Sequence, residues 1–478
     1  MVILSFNNEA EGSVYPTEQE LLNAVREARA ENIEAFVDNV KNEPLIAKMP
    51  KPGKIVKETR NEQFGYTELT LSNNVKIMLK QTDFKKDQVI LSGEGPGGQS
   101  FYGEKDYRNL QMFNQIIATS GLGNFSSTEL EKALAGKIAS ARITLDRRHM
   151  NASGSSTPKD VETMLQLLYL KFTAVSKDEE SFKKQMNEME VALKNRSLSP
   201  EVALSDSLTA TLGGHNPRMA PLTVEALKEV NYDRILEIAR ERTASARDWS
   251  FIIVGNFDEA TIRPLICQYI ASLPAKGKVK NGERVQFLQK GKIVNSFRRK
   301  QETPKAVTYM IWYSEDVPYT LETSIQADIV GQLMRMIYTK EIREEASAAY
   351  SVGAGGYATL DDDGYKLMQF YAYCPMKPEK RDTALFLLNK AVEGLTVTCD
   401  EEMLSKCKEV MLKRYDENVK KNYYWDGIIK TWDEFGIDEH TTYKSVVLAQ
   451  TPQTIAAFMK KVVAAGNHIT VEMLPEEE

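Results

Sequence analysis

Histidine is scarce in this chain: 478 residues contain four, at positions 149, 215, 440 and 468. No two lie within four residues of each other. The spacings HExxH and HxxEH, which set two metal ligands on one helix face, are therefore both absent. His149 falls in a strand pattern and His215 in the loop Gly213–Arg218, and each reads as structural. The expectation is that this chain holds no metal. Cysteine is equally rare. Cys267, Cys374, Cys399 and Cys407 lie apart without a CxxC pair and read as buried thiols, not a zinc knuckle. No apolar run approaches the roughly 20 residues of a membrane span. The opening "MVILSFNNEAEG" has no basic stretch and too short an apolar run for a signal peptide. It reads as a strand entered midway, as in a piece of something longer. Basic charge in excess is lacking: 61 basic and 67 acidic residues nearly balance, with a formal net charge of -6, so no nucleic-acid or polybasic membrane surface is expected.

Nucleophile motifs are missing too. There is no GxSxG, and no cysteine neighbours a histidine. "GEGPGG" at 93–98 matches GxGxxG in letters and follows a strand. The loop then runs into "QSFYGEKDY" instead of opening a helix, so it reads as a glycine turn at a strand end.

What is present is an ordinary globular composition, 42% hydrophobic and 27% charged, with length for about three domains. Thr17 and Glu20 form a capping box that opens an amphipathic helix from Glu18 to about Val40. Prolines 44, 50 and 52 then mark an extended tether. From Phe64 the pattern changes to alternating strands with a Ser-Asn-Asn turn. Helices follow at 107–120, 161–173, 178–196, 223–242 and 259–272, with a buried strand "WSFIIVGNF" among them. The second half repeats this order. "VALK" at 191–194 answers "VMLK" at 410–413, and "WSFIIVGNFD" at 249–258 answers "HITVEMLPEE" at 468–477, both at an offset of 219. The reading is an α+β fold: two homologous domains, each a mostly antiparallel sheet with helices on one face. The expected division is 1–62 as a terminal strand and helical arm, 63–285 as a first domain and 286–478 as a second. The two domains are joined through a basic, polar linker around 275–305.

One stretch could carry chemistry: "IREEASAAYSVGAGG", Ile342 to Gly356. Arg343 and Tyr350 are seven apart, so on a helix they would share a face. A guanidinium and a phenol side by side can bind a carbonyl and stabilise an oxyanion. The competing reading is a surface helix whose arginine pairs with a glutamate and whose tyrosine caps a core. The residues alone favour that second reading.

The chain resembles, over nearly all its length, the C-terminal half of two-part zinc peptidases of the pitrilysin/insulinase (M16) family, of the bacterial PqqL-like type. "YPTEQELLNAVREARAENIEAFVDN" looks like that family's linking arm. "LSNNVKIMLKQTDFKKDQVILSGEGPGGQS" and "GLGNFSSTELEKALAGK" look like its third domain. "IREEASAAYSV", "YCPMKPEKRDTA" and "NVKKNYYWDGII" look like its fourth. The resemblance implies a clam-shell zinc endopeptidase. Its N-terminal half carries HxxEH and the Zn2+; its C-terminal half repeats the fold without metal and closes a peptide-degrading chamber. Helix 107–120 sits where this half's copy of the zinc helix would be. The resemblance also implies that Arg343 and Tyr350 assist the zinc site of the other half, and that Gly353, Gly355 and Gly356 let substrate backbone approach. The implied partners are the zinc-bearing N-terminal half and peptide substrates; no cofactor is expected on this chain, and alone it is expected to be inactive. The alternative is a non-catalytic binding or scaffold subunit for a separate zinc-bearing chain. The resemblance points to a bacterial, periplasmic rather than cytoplasmic, setting.

Overall fold

A computed structural model describes residues 3–4, 15–31, 41–196, 199–277 and 280–476. The first of two units, residues 1–42, contains helix α1 (Glu18–Ala30). Its capping box forms as expected. The Thr17 N–H donates to Glu20 at 2.7 Å and the Glu20 N–H donates to Thr17 Oγ1 at 3.3 Å. The helix expected to run unbroken to about Val40 instead ends at Ala30, because Glu31 turns to an extended conformation (φ -64°, ψ 131°); Ile33 and Phe36 lie outside the described residues.

The second unit, 43–478, is built on two large sheets. The first contains β1 (Ile55–Asn61), β2 (Tyr66–Leu71), β3 (Lys76–Gln81) and β4 (Val89–Pro96). After helix α2 (Tyr107–Thr119) come the short β5 (Gly121–Leu122), α3 (Ser127–Ala133), β6 (Ala139–Leu145) and β7 (His149–Ser156). Then follow α4 (Val161–Thr173), the short β8 (Val175–Ser176) paired with β5, α5 (Glu179–Arg196), α6 (Pro200–Leu212), α7 (Val224–Leu227), α8 (Tyr232–Thr243), β9 (Ser250–Gly255) and α9 (Glu259–Tyr269). The second sheet is made of β10 (Lys292–Arg299), β11 (Ala306–Ser314), β12 (Gly353–Leu360), β13 (Lys366–Met376) and β14 (Asn467–Pro475). Its helices are α10 (Leu321–Tyr338), α11 (Arg381–Leu395), α12 (Glu401–Asn418), α13 (Asn422–Phe435), α14 (Tyr443–Ala449) and α15 (Pro452–Ala464).

The strand orders are β1-β2-β3-β9-β4-β7-β6 and β10-β14-β11-β13-β12. Dropping the β1-β2 hairpin, the two agree strand for strand. β3·β9 and β10·β14 are parallel, and every following neighbour is antiparallel. The offset of 219 read from the sequence joins β9 to β14, which hold the same place in the two sheets.

Each sheet buries one face under its own helices, giving two large cores. The other faces are covered by exchange. Ile428 and Ile429 of α13 pack on Met78, Ile90 and Ile252 of the first sheet. Leu204, Leu208 and Leu212 of α6 pack on Val307, Ile311 and Ile469 of the second. Burying one such side chain contributes about 1.5–3 kcal/mol, so the exchange ties the halves firmly. Segment 280–290 is pinned on both sides: the Arg148 Nε donates to Gly282 O at 2.9 Å, and the Gln289 N–H donates to Leu212 O at 2.8 Å.

Three elements differ from the sequence reading. Ile55–Asn61, read as the end of a tether, is strand β1 on the edge of the first sheet. Lys292–Arg299, read as linker, is strand β10 on the edge of the second. Helix α6 has no counterpart in the reading, although Ser199 caps it and Pro200 opens it.

Candidate active-site surface

Helix α10 is buried along much of its length and leads into a π-helical turn, Thr339–Glu345. Such turns widen the helix by one residue per turn and often mark functional sites. Ile342 is fully buried and anchors the turn from below, which leaves Arg343 exposed. The helical path ends there. The Ala346 N–H donates to Glu341 O at 3.0 Å, the Ala348 N–H donates to Ile342 O at 2.9 Å, and Ser347 adopts φ +49°. A left-handed conformation at a residue with a side chain is strained and persists where its surroundings hold it. Here the buried Ala348 and Ala349 do so, and the Lys377 N–H ties the loop to Ala348 O at 3.1 Å.

Tyr350 leaves this loop 91% exposed. Arg343 and Tyr350 therefore do not share a helix face, as their spacing suggested, because the helix stops at Glu345 and the chain turns at Ser347. Both side chains nonetheless reach solvent, and neither has a hydrogen-bond or ion-pair partner among the described residues. The competing reading from the residues alone fails on both counts. The nearby Glu341 pairs with Lys390 at 3.3 Å, not with Arg343, and Tyr350 caps no core.

Gly353, Gly355 and Gly356 lie on β12, the edge strand of the second sheet. A Cβ on Gly356 would overlap Ala327 O and the Phe370 ring, and one on Gly355 would overlap the Tyr371 ring. A Cβ on Gly331 of α10 would overlap the Gly356 N. Glycine at 355 and 356 thus has an internal cause, the close seating of α10 and Tyr371 on β12. At Gly353 a Cβ would meet Tyr373 at an ordinary 3.6 Å.

Helix α2 holds in the first sheet the place that α10 holds in the second. Beside Tyr107, Arg108 and Thr119 its polar side chains are amides, and these are engaged within the protein. The Gln111 Nε2 donates to Ala220 O at 2.6 Å, the Leu145 N–H donates to Asn114 Oδ1 at 2.7 Å, and the Gln115 Nε2 donates to Gln185 Oε1 of α5 at 2.7 Å. Zinc is held by imidazole, thiolate or carboxylate, so this set does not fit the ion. Among the described residues no group of three or more His, Cys, Asp or Glu is placed to hold a metal. All four cysteines are free, and burial pushes Cys374 and Cys407 up to about 12.

Sequence reading missed a polar cleft of about 680 Å³ between α13 and the outer face of the first sheet. Met78, Ser92 and Ile252 form its floor, while Asp426, Lys430 and Glu434 face them from α13. Lys430 pairs with Glu94 at 2.7 Å and His149 Nε2 lies 3.0 Å from Asp362. The Glu434 carboxyl is pushed up to about 7, first by burial and then by the Glu94 charge. The spacing of 426, 430 and 434 along one helix face was visible in the sequence, but not its partners, some 300 residues away.

That shift sets a pH dependence. The folded state keeps a proton on Glu434 that the unfolded chain loses near the ordinary carboxylate value. Stability from this group is therefore full at acidic pH and lost as pH rises through about 7. Because the side chain is partly exposed, the expected effect is discounted to about 1–2 kcal/mol. Glu434→Gln should raise unfolding stability by that amount above neutral pH and change it little in acid. Urea titrations on both sides of neutrality check this.

Comparison with known proteins defines the class. Residues 229–411 match the family described as the peptidase M16 inactive domain. The chain is 26% identical over 408 residues to the "Zinc protease PQQL-like" of Arabidopsis thaliana, covering 81% of this chain and 40% of that protein. The crystal structure of the periplasmic protease PqqL from Escherichia coli superposes with a TM-score of 0.78 at 19% identity, over 96% of this chain and 51% of that one. The first half of the same protease superposes with a TM-score of 0.65 at 11% identity, over 87% of this chain and 93% of that one. The α+β fold is thus shared with both halves of such a protease. This chain carries a peptidase M16 inactive domain. More particularly, it is homologous to the PqqL zinc proteases. It spans about 40% of the length of the curated relatives it matches. Among the described residues no helix is long and apolar enough to cross a membrane.

Proposed function

We propose that this chain is the non-metal C-terminal half of a two-half zinc endopeptidase, and that it closes a peptide-degrading chamber against a zinc-bearing N-terminal half. The proposal includes the division into an arm, a first domain to about 285 and a second from about 286. It also includes a periplasmic setting, as in the Escherichia coli relative.

The observation that carries it is the pair Arg343 and Tyr350. An arginine on the π-helical turn and a tyrosine on the loop that follows it, both exposed and both without partners among the described residues, are poised for something outside the chain. Zinc on the other half would supply Lewis-acid polarisation of the scissile carbonyl. The Tyr350 hydroxyl donates a hydrogen bond to the oxygen of that carbonyl as negative charge builds there. The Arg343 guanidinium, with its fork of donors, holds substrate carbonyl oxygens and fixes the register of the peptide. β12 follows directly, and among the described residues its outer edge pairs with no further strand, so an extended peptide can lie alongside it.

The test is hydrolysis of a quenched fluorescent peptide by this chain alone, and again after mixing with its separately produced zinc-bearing half. Silence alone with activity on mixing is the expected result. Zinc-dependent activity from this chain alone would overturn the reading, as would activity of the other half that this chain leaves unchanged. Within the mixed enzyme, Arg343→Ala should raise KM about tenfold with a smaller change in kcat, because it removes ground-state anchoring more than transition-state contact.

A further inference from the structure

The open edge of the second sheet carries a cation that the proposed function does not use. The register of β12 on β13 runs unbroken from Gly353↔Tyr373 to Leu360↔Lys366, and the Asp361 N–H donates to Tyr365 O at 2.8 Å. Main-chain groups alternate sides along an antiparallel strand. The odd-numbered residues of β12 therefore bond to β13, while Ala354, Gly356, Ala358 and Leu360 turn their N–H and C=O groups to the open edge. At Ala354 that edge is occupied. The Arg335 guanidinium, from α10, donates to Ala354 O through Nη2 at 2.8 Å and through Nε at 3.3 Å.

Three features of this arginine bear on what it binds. Its side-on donors, Nε and Nη2, are spent on one carbonyl, which leaves the end-on pair of Nη1 and Nη2 directed elsewhere. Arg335 is exposed, and among the described residues no carboxylate pairs with it. The acids about two turns away on either side are engaged: Asp328 accepts from Gln332 Nε2 at 3.0 Å, and Glu341 pairs with Lys390. The first sheet shows what a neutral cap at the same place looks like. There β6 holds the edge and α2 stands in for α10. Leu145 faces that edge by the same alternation, since the Asp146 N–H donates to His149 O at 2.8 Å. Asn114 Oδ1 accepts the Leu145 N–H at 2.7 Å and Gln99 Nε2 donates to Leu145 O at 3.1 Å. Amides close both groups there and leave no charge. At Ala354 a full positive charge stands where an amide would serve.

We infer that the β12 edge anchors the C-terminal carboxylate of an extended peptide. The peptide lies antiparallel to β12 and pairs with the outward main-chain groups of Gly356, Ala358 and Leu360. Its strand ends at Ala354, where the outward carbonyl is already taken. Its terminal carboxylate meets the Nη1–Nη2 side of Arg335, the two-bonded geometry that guanidinium and carboxylate favour. The uncompensated cation selects a carboxylate, and the end of the ladder makes it the terminal one. Hydrolysis breaks the peptide C–N bond and leaves such a carboxylate on the N-terminal fragment, so a peptide of this kind is a product of the reaction proposed above. The inference rests on that reading of this chain and names the kind of peptide its open edge holds.

The experiment uses this chain alone, so it is independent of the mixing assay. Calorimetry compares acetyl-Thr-Val-Thr-Val-Thr ending in a free carboxylate with the same peptide ending in an amide, and with acetyl-Thr-Val-Asp-Val-Thr-amide. The native chain should bind the free-carboxylate peptide about tenfold more tightly than either amide, the worth of one charge-assisted pair. Arg335→Gln, which keeps a donor for Ala354 O, should abolish that advantage. It should leave the affinity for the amide and the melting temperature near native. Arg343→Gln should keep the advantage. Methylating alternate amide nitrogens of the free-carboxylate peptide should abolish binding in one register and spare it in the other. Equal binding of acid and amide would overturn the inference, as would an advantage that survives Arg335→Gln or is lost in Arg343→Gln. So would an aspartate amide that binds as tightly as the acid, which would give Arg335 to acidic side chains, or methylation that both registers tolerate. Binding without hydrolysis on mixing would sink the protease reading and leave the anchor. Hydrolysis on mixing without binding would do the reverse.

Discussion

Tyr350→Phe in the mixed two-half enzyme should lower kcat about 10²–10³-fold, the usual cost of losing one preorganised donor to an oxyanion. The fall should appear equally in kcat/KM, since the hydroxyl acts where charge develops and not in ground-state binding. Tyr350 is almost fully exposed and supports no core, so the variant's melting temperature should match the native one. This combination is diagnostic. A structural tyrosine would shift stability, and a substrate-anchoring one would shift KM. If turnover is unchanged, the pair is vestigial and the chain serves as wall and scaffold only. The measurement is steady-state kinetics on a quenched peptide with a melting curve on the same protein.

The repeat was the most legible part of the sequence. Two short matches at one offset predicted that strands near 250 and 469 are equivalent, and β9 and β14 occupy the same position with the same parallel neighbour. Helices whose apolar faces bury against their own sheet also stood out; α4 begins and ends where its pattern does. The edge strands did not. β1 reads "IVKETRN" and is exposed over most of its length, and the prolines just before it suggested a tether. β10 reads "KIVNSFRR" and alternates only between exposed and half-buried. Edge strands bury little, so they print a weak hydrophobic pattern. The exchange of α6 and α13 was invisible for a different reason. Each buries its apolar face against the sheet of the other half, and no local pattern says which sheet that is. The candidate site was half legible. The spacing of Arg343 and Tyr350 singled them out, but the helical inference failed at a π-helical turn and at Ser347, neither of which side-chain periodicity encodes.

Gly331→Ala should be the most damaging single methyl in this part of the molecule. Gly331 sits fully buried on α10, and the space its Cβ would fill is occupied by the Gly356 N and the carbon atoms of Gly355. All of these are backbone, so no side chain can swing aside. Relief requires α10 to lift from β12, yet α10 also carries Ile325, Ile329 and Leu333 in the core of the second sheet. In an exposed helix the same change would be favourable by roughly 1 kcal/mol, because alanine is the better helix former. Overpacking of a rigid site costs about 1–3 kcal/mol, and with both opposing atoms fixed the upper end applies. Net destabilisation of about 2–3 kcal/mol is therefore expected in urea unfolding. The effect should reach the candidate site as well. The π-helical turn bearing Arg343 continues α10 and Tyr350 precedes β12 by only a few residues, so a shift between helix and strand changes the placement of one against the other. The mixed enzyme should lose kcat at temperatures where the variant is still folded. Gly394→Ala, near the end of the exposed face of α11, serves as the control, since nothing lies within 4 Å of the methyl it would add; it should raise stability by up to about 1 kcal/mol and leave kcat near native. If Gly331→Ala is as stable as the native chain, the tight seating of α10 on β12 is not what holds Arg343 and Tyr350 in place.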